Sequence, residues 1–270
     1  MKLRKYLAAA SIAAAEANAA RAALIGQLAF YALVLVLYAR IWQLIAQKGA
    51  LAAIGRGDLL WYLAITEWIA LSVPPLHLEI ERDVRSGNVA YALPRPVSYL
   101  WLRFCEGLGA MFLRMLLLGM FGFGLCAILA RSAAGPNASM WPSGGPLALL
   151  CGTLTAVVAA ALNLVFRTLI GLSAFFVQDT SPVYWVWQKL SFAFGGLLFP
   201  LDMYPDSLQS IAAATPFPSL LYAPGRIAIG AEPAFAWRAI ATLAVWSIMS
   251  VLCVHLAFRR AQRALEINGG

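Results

Sequence analysis

Residues 147–177 read LALLCGTLTAVVAAALNLVFRTLIGLSAFFV, and Arg167 is their only charged side chain. Crossing the roughly 30 Å hydrocarbon core of a bilayer takes about 20 apolar residues at about 1.5 Å each, so this run is long enough to span as a helix. Five further stretches share its character, at about 22–46, 58–79, 104–130, 182–200 and 236–258. Six transmembrane helices are therefore expected. A lipid-facing backbone must satisfy its own hydrogen bonds, and no ten-residue alternating pattern supports a barrel, so the fold class is an all-α integral membrane protein. Trp42, Trp61, Trp101, Trp185, Trp187 and Trp237 crowd the span ends, where amphipathic rings prefer the headgroup region.

Composition agrees. In 270 residues, hydrophobic types make up 62 % and charged types 12 %, with a mean hydropathy of +0.77. Soluble domains run at roughly 45–50 % and about 25 %. Twelve acidic and 20 basic side chains cannot cover the surface of a water-soluble globule of 29.1 kDa. That excludes an ordinary cytosolic enzyme, a disordered scaffold and a disulfide-stapled secreted domain. The net charge of +8 is dispersed among apolar runs, which reads as topology and anionic-lipid contact rather than nucleic-acid binding. Cys105, Cys126, Cys151 and Cys253 lie in or beside apolar stretches without paired spacing, and read as small hydrophobes.

The Lys/Arg distribution sets the orientation. With both termini inside, eleven basic residues fall on the cytoplasmic side (Lys2, Arg4, Lys5, Arg21, Arg82, Arg85, Arg95, Arg103, Arg259, Arg260, Arg263). Six fall outside (Arg40, Lys48, Arg56, Arg131, Arg226, Arg238). N-in, C-in is the favoured topology. Residues 1–21 begin with Lys2, Arg4 and Lys5 and continue through alanines. The alanine middle is weak for a signal peptide, so an interfacial helix is expected, with Tyr6 and Leu7 toward lipid and the basic residues toward headgroups. No fixed-period repeat is visible, and the whole of 1–270 reads as a single transmembrane domain.

Three features outside plain span-forming stand out. The first is the segment 80–96 with Glu79 before it, the densest charge in the chain: Glu79, Glu81, Arg82, Asp83, Arg85, then Gly87 and Asn88. Ser86-Gly87-Asn88 can terminate a short amphipathic helix, and Pro94 and Pro96 re-aim the chain. Such a helix is either a solvated loop element or a docking surface for a soluble partner. The second is the segment 201–235. Asp206 is placed to cap a helix to about Ala214, Thr215-Pro216-Phe217-Pro218 breaks it, and another runs to about Ile229 with Gly230 as its stop. Each piece is too short to cross, so an outer re-entrant hairpin or a sealing lid is expected, bounded by Pro200, Pro205, Pro216 and Pro218.

The third is the set of intramembrane charges Glu67, Arg114 and Lys189. A lone charge at such depth is costly, so Glu67 either pairs with Lys189 or Arg114 or lines a polar path. His77 and His255 read as packed or interfacial residues. No Gly-x-x-x-x-Gly-Lys-Ser/Thr, His-Glu-x-x-His, Gly-x-Ser-x-Gly or Cys-x-x-Cys occurs, so no catalytic residue, metal site or nucleotide cradle is assigned. Asn137-Ala138-Ser139 matches a glycosylation sequon only incidentally.

Taken together, these segments resemble the permease subunits of ABC-2 type ATP-binding-cassette transporters. One carrier is 80–96, through Val84, Gly87, Leu93 and Pro96. The other is Phe194-Gly195-Gly196-Leu197-Leu198-Phe199-Pro200-Leu201 with Tyr204-Pro205, Thr215-Pro216-Phe217 and Tyr222-Ala223-Pro224, where Gly195 stands in place of the family's serine. The resemblance implies a multi-pass protein of a bacterial inner membrane, working in a complex of two permease subunits, identical or different, and two cytoplasmic ATPase subunits. ATP and Mg would be held by the ATPases, this chain binding no cofactor of its own. It further implies that 80–96 is a coupling helix, with Glu79, Glu81, Arg82, Asp83, Arg85 and Asn88 making the polar contacts, and that the complex exports its substrate. Beside this reading stand an integral membrane enzyme acting on a lipid-borne substrate, for which Glu67, His77 and Glu106 are the nearest candidates, and a membrane assembly subunit without transport.

Overall fold

A computed structural model of the chain describes residues 2–47, 55–92, 98–134, 139–177 and 179–268. Lys48, Pro94, Arg95, Pro96 and the Asn137-Ala138 pair lie outside them. The described residues form twelve α-helices and no strand: α1 (Lys2–Ala19), α2 (Arg21–Gln47), α3 (Arg56–Ser72), α4 (Leu76–Arg85), α5 (Asn88–Ala92), α6 (Tyr99–Ala134), α7 (Gly145–Leu172), α8 (Ser181–Phe194), α9 (Asp206–Ala213), α10 (Phe217–Leu220), α11 (Tyr222–Ala228) and α12 (Pro233–Asn268).

Five stretches are helical, long and apolar enough to cross a bilayer: Arg21–Ile45, Arg56–Arg85, Tyr99–Ser132, Gly145–Phe175 and Pro233–Gln262. The expected span at 182–200 is not among them. Its helix, α8, has 14 residues, or about 21 Å. Gly195 caps it, and Gly196 takes φ +65, a left-handed turn open to glycine but strained for other residues. Counting apolar residues overlooked that these two glycines end the helix.

α3 is the axis of the bundle. Of its most apolar window, carried on into α4, 83 % is buried, against 11 % for α2 and for α12. Neighbours α2, α6, α7 and α11 enclose it. Side chains pin these contacts to backbone carbonyls: Tyr31 donates to Ala64 (2.6 Å), Trp68 to Met115 (2.7 Å) and Thr66 to Leu197 (2.7 Å). The α3 helix stops at Ser72 because Pro74 and Pro75 withhold N–H donors, and Val73, which precedes them, is extended at ψ 120. The chain then re-enters helix as α4.

Two sets of contacts define opposite ends. At one, Asp58 accepts from the backbone N–H of Ser143, whose hydroxyl donates to Ile229. At the other, α4, the start of α6, the start of α8 and the end of α12 meet, with Tyr99 stacked on Phe258. α1 forms a separate helix and packs along α6. Tyr6, expected toward lipid, is half-buried and its hydroxyl accepts from the Ser98 N–H at 3.3 Å, while Leu7 is exposed. The segment 201–235 holds α9, α10 and α11. Asp206 is the first residue of α9 rather than its cap, which is Pro205, and Gly230 closes α11 at φ +98.

α11 lies directly on α7. A Cβ added to Gly152 would sit 2.4 Å from Ala228 Cβ and 2.5 Å from its Cα. Gly152→Leu is expected to push α11 off α7 at a cost of about 1–3 kcal/mol. Gly124→Leu, with no atom within 4 Å of the added Cβ, is the control and should leave stability unchanged. Thermal unfolding midpoints in detergent decide; equal midpoints would show that the α7–α11 contact is not tight.

Candidate functional site

The charged residues at 79–88 all fall on α4 and the turn after it, but they do not share one face. Asp83 is buried and accepts from Tyr99 Oη (2.7 Å), Arg103 Nε (2.8 Å) and Arg103 Nη2 (2.7 Å). Arg103 also pairs with Glu106 at 2.7 Å. Glu81 is buried too: it accepts from the backbone N–H of Thr180 (3.0 Å) and from the Thr180 hydroxyl, and meets Arg85 at 3.2 Å. These two carboxylates, expected to make docking contacts, are turned into the interior. Two residues apart, or about 200° around the helix, they lie on nearly opposite sides, so one reaches α6 and the other the start of α8.

What remains outside is polar and basic. Arg82, Arg85, Ser86, Gly87 and Asn88 are exposed, and Glu79 is half-buried. Gly87 takes φ +74, and the Ser86 N–H donates to Arg82 O at 2.9 Å, ending α4 as the sequence suggested. The tip is held from behind by its own acids and presents cations forward.

A second region lies inside the bundle. A cavity of about 470 Å³ opens between α2, α3, α7 and α8, lined in part by Tyr38, Glu67, Asn163, Arg167, Gln188 and Ser191. Glu67 is 4 % exposed and Arg167 9 %. Asn163 Oδ1, Arg167 Nε and Ser191 Oγ are buried without a hydrogen-bond partner. Arg167 donates one hydrogen bond, to Pro74 O at the α3–α4 break (3.3 Å), and lies 5.3 Å from the Tyr184 ring centroid. His77 of α4 stacks on that same ring at 4.0 Å.

The expected pairing of Glu67 is not what the structure has. Among the described residues Glu67 has no ion pair; those present join Arg85 to Glu81, Arg103 to Asp83 and Glu106, and Arg226 to Asp202. Lys189 is exposed and extends over Trp185 at 5.6 Å. Arg114 lines a different cavity, with Glu79 and Glu106. Helix rotation separates them: depth along an axis is readable from spacing, whereas the face presented is set by packing. Glu67, His77 and Glu106 likewise do not converge, since Glu106 pairs with Arg103 on the far side of α4 from the Tyr184 ring.

Asn163, Tyr184 and Gln188 carry no charge and are not among the expected site residues, and Arg167, visible as the lone charge of its span, is not assigned to a site by the sequence. The signal was present. Asn163 and Arg167 stand four apart on α7, and Tyr184, Gln188 and Ser191 recur at four and three on α8, each a polar stripe on one helix face. At the other end, Pro200, Pro205 and Pro216 each precede a short helical piece and Pro218 lies in the first turn of α10. Asp202 ties this hairpin together, accepting from Tyr222 (2.7 Å) and pairing with Arg226 (3.0 Å).

No curated protein matches the chain. The model of the family described as ABC-2 family transporter protein matches residues 59–269, which takes in every helix from α3 onward. With five membrane-length helices and a match over most of its length, this chain is a multi-pass membrane protein that belongs to the ABC-2 transporter family.

Proposed function

We propose that this chain is the permease subunit of an exporter in a bacterial inner membrane, driven by ATP hydrolysis on two separate cytoplasmic ATPase subunits and completed by a second permease. Partnership with ABC ATPases is general in the family. The observation that carries the reading here is α4: a short helix anchored by buried carboxylates, with an exposed basic tip at the end of the molecule where Arg103, Arg259 and Arg260 also lie. That Lys/Arg excess favours the cytoplasm for this end, and both termini with it. α8 with residues 195–200 then serves as the sixth crossing, and α9–α11 as the outer re-entrant hairpin.

In this mechanism the ATPase docks on Arg82, Ser86, Gly87 and Asn88, with Arg85 and Glu79 at the flanks. Movement of α4 is carried to α8 by two links, the Glu81–Thr180 hydrogen bonds and the His77–Tyr184 stack. α8 is a wall of the cavity that holds Glu67 and Arg167, so docking at the tip changes the shape of the polar path. A transporter needs two packings of its bundle and a partner state that favours one of them. The polar groups left unpaired in the cavity are the ones available to a substrate.

Three variants test this. Arg82→Glu should insert and fold normally yet lose copurification of the ATPase and the ATP turnover that depends on it; undiminished turnover refutes the docking face. Asp83→Ala instead removes the shared acceptor of Tyr99 and Arg103 and should lower stability by about 2 kcal/mol, seen as a fall in melting temperature. Thr180→Val should retain ATPase binding but reduce transport per ATP hydrolysed in proteoliposomes. Unchanged coupling would remove Glu81–Thr180 from the transmission route.

A further inference from the structure

A larger cavity, of about 800 Å³, lies between α1, α4 and α6. Its walls are chemically unlike. α1 contributes Ala9, Ala13 and Ala17 between Lys5 and Glu16, while α4 and α6 contribute Arg82, Arg103 and Arg114 together with Glu79, Asp83 and Glu106. Arg103 is occupied, held by Asp83 and Glu106 at 2.7 Å each. Arg114 is not. Its Nε is shut off from solvent without an acceptor, and no hydrogen bond or ion pair engages the side chain among the described residues.

The position of Arg114 narrows the ligand. Along α6 the next charge is Arg131, about 17 steps or about 25 Å away, close to one hydrocarbon thickness. Arg114 therefore sits at the level where the apolar core gives way to lipid phosphates. A guanidinium keeps its charge and offers a planar fork that matches phosphate oxygens, and half-buried beside Glu79 with its Nε shut off from solvent it still lacks an acceptor there. A free phosphate has no use for an alanine wall, whereas glycerol and the first methylenes of an acyl chain do. The volume is within the roughly 300–1,000 Å³ of small-molecule sites.

We infer that this cavity binds a membrane glycerophospholipid, with Arg114 on the phosphate oxygens and the alanine positions of α1 against the glycerol and upper chain. The site is separate from the cavity that holds Glu67 and does not depend on an ATPase partner.

The test uses the purified full-length chain in detergent, loaded with dioctanoyl phosphatidylglycerol and read by native mass spectrometry. Wild type is expected to retain one lipid per chain. Arg114→Gln should reduce retention about tenfold. Ala13→Phe, which fills the apolar wall and leaves every charge in place, should do the same, and Arg131→Gln should not. Melting temperatures confirm that each variant is folded. Dioctanoylglycerol, which lacks the phosphate, and inorganic phosphate, which lacks the chains, should fail to compete at matched concentration. Wild-type retention by either cavity variant overturns the assignment, as does equal binding of dioctanoylglycerol. Displacement of the lipid by inorganic phosphate would make the ligand a free anion and overturn its lipid source.

Discussion

Backbone carbonyls released by helix breaks within apolar surroundings have no water to turn to, and this protein answers each break with a side chain from a neighbouring helix. At the Pro74-Pro75 break, Arg167 of α7 donates to Pro74 O. Where α8 unwinds at Gly195-Gly196, Tyr62 donates to Gly196 O and Thr66 to Leu197 O, both from α3. The donors come from the helices that pack at the break, so satisfying the backbone and positioning the helices are one event. α3 supplies or receives most of these bonds, consistent with its burial on every side.

The same economy shapes α4. Its carboxylates are used inward, Asp83 toward α6 and Glu81 toward α8, and its cations are left outward. A short helix flanked by a proline break and a glycine turn has little stability of its own. Tied to α6 and α8 by charge-assisted hydrogen bonds, it becomes a rigid projection whose displacement must be felt at both helices. That is the physical content of coupling as proposed here: the tip is exposed enough to be touched, and its base is bonded tightly enough to transmit.

Polar groups in the bundle are divided between two chambers. One, among α2, α3, α7 and α8, contains Glu67, Asn163 and Arg167 and touches the transmission route through Tyr184. The other, beneath α1, contains Arg114 beside the Arg103 network. Their different walls suit different occupants. The first is aromatic and polar on several sides, while the second lines charged residues of α4 and α6 against the alanines, Lys5 and Glu16 of α1.

Composition and run length alone determined that this chain is a helical membrane protein, because 12 % charged residues cannot hold such a mass in water. They also located α2, α3, α6, α7 and α12, a short charged helix stopped at Gly87, and the broken segment 201–235, since prolines and glycines act through local sterics, but run length carried the second span on to 79, across the Pro74-Pro75 break. Spacing could not show that α8 ends after 14 residues, that Glu81 and Asp83 point inward, or that Glu67 shares a chamber with Arg167 and not a bond with Lys189. Those outcomes depend on the rotation of each helix about its axis. Rotation is decided by ridge packing and by which freed carbonyl finds which donor, and both require residues far apart in the chain to meet.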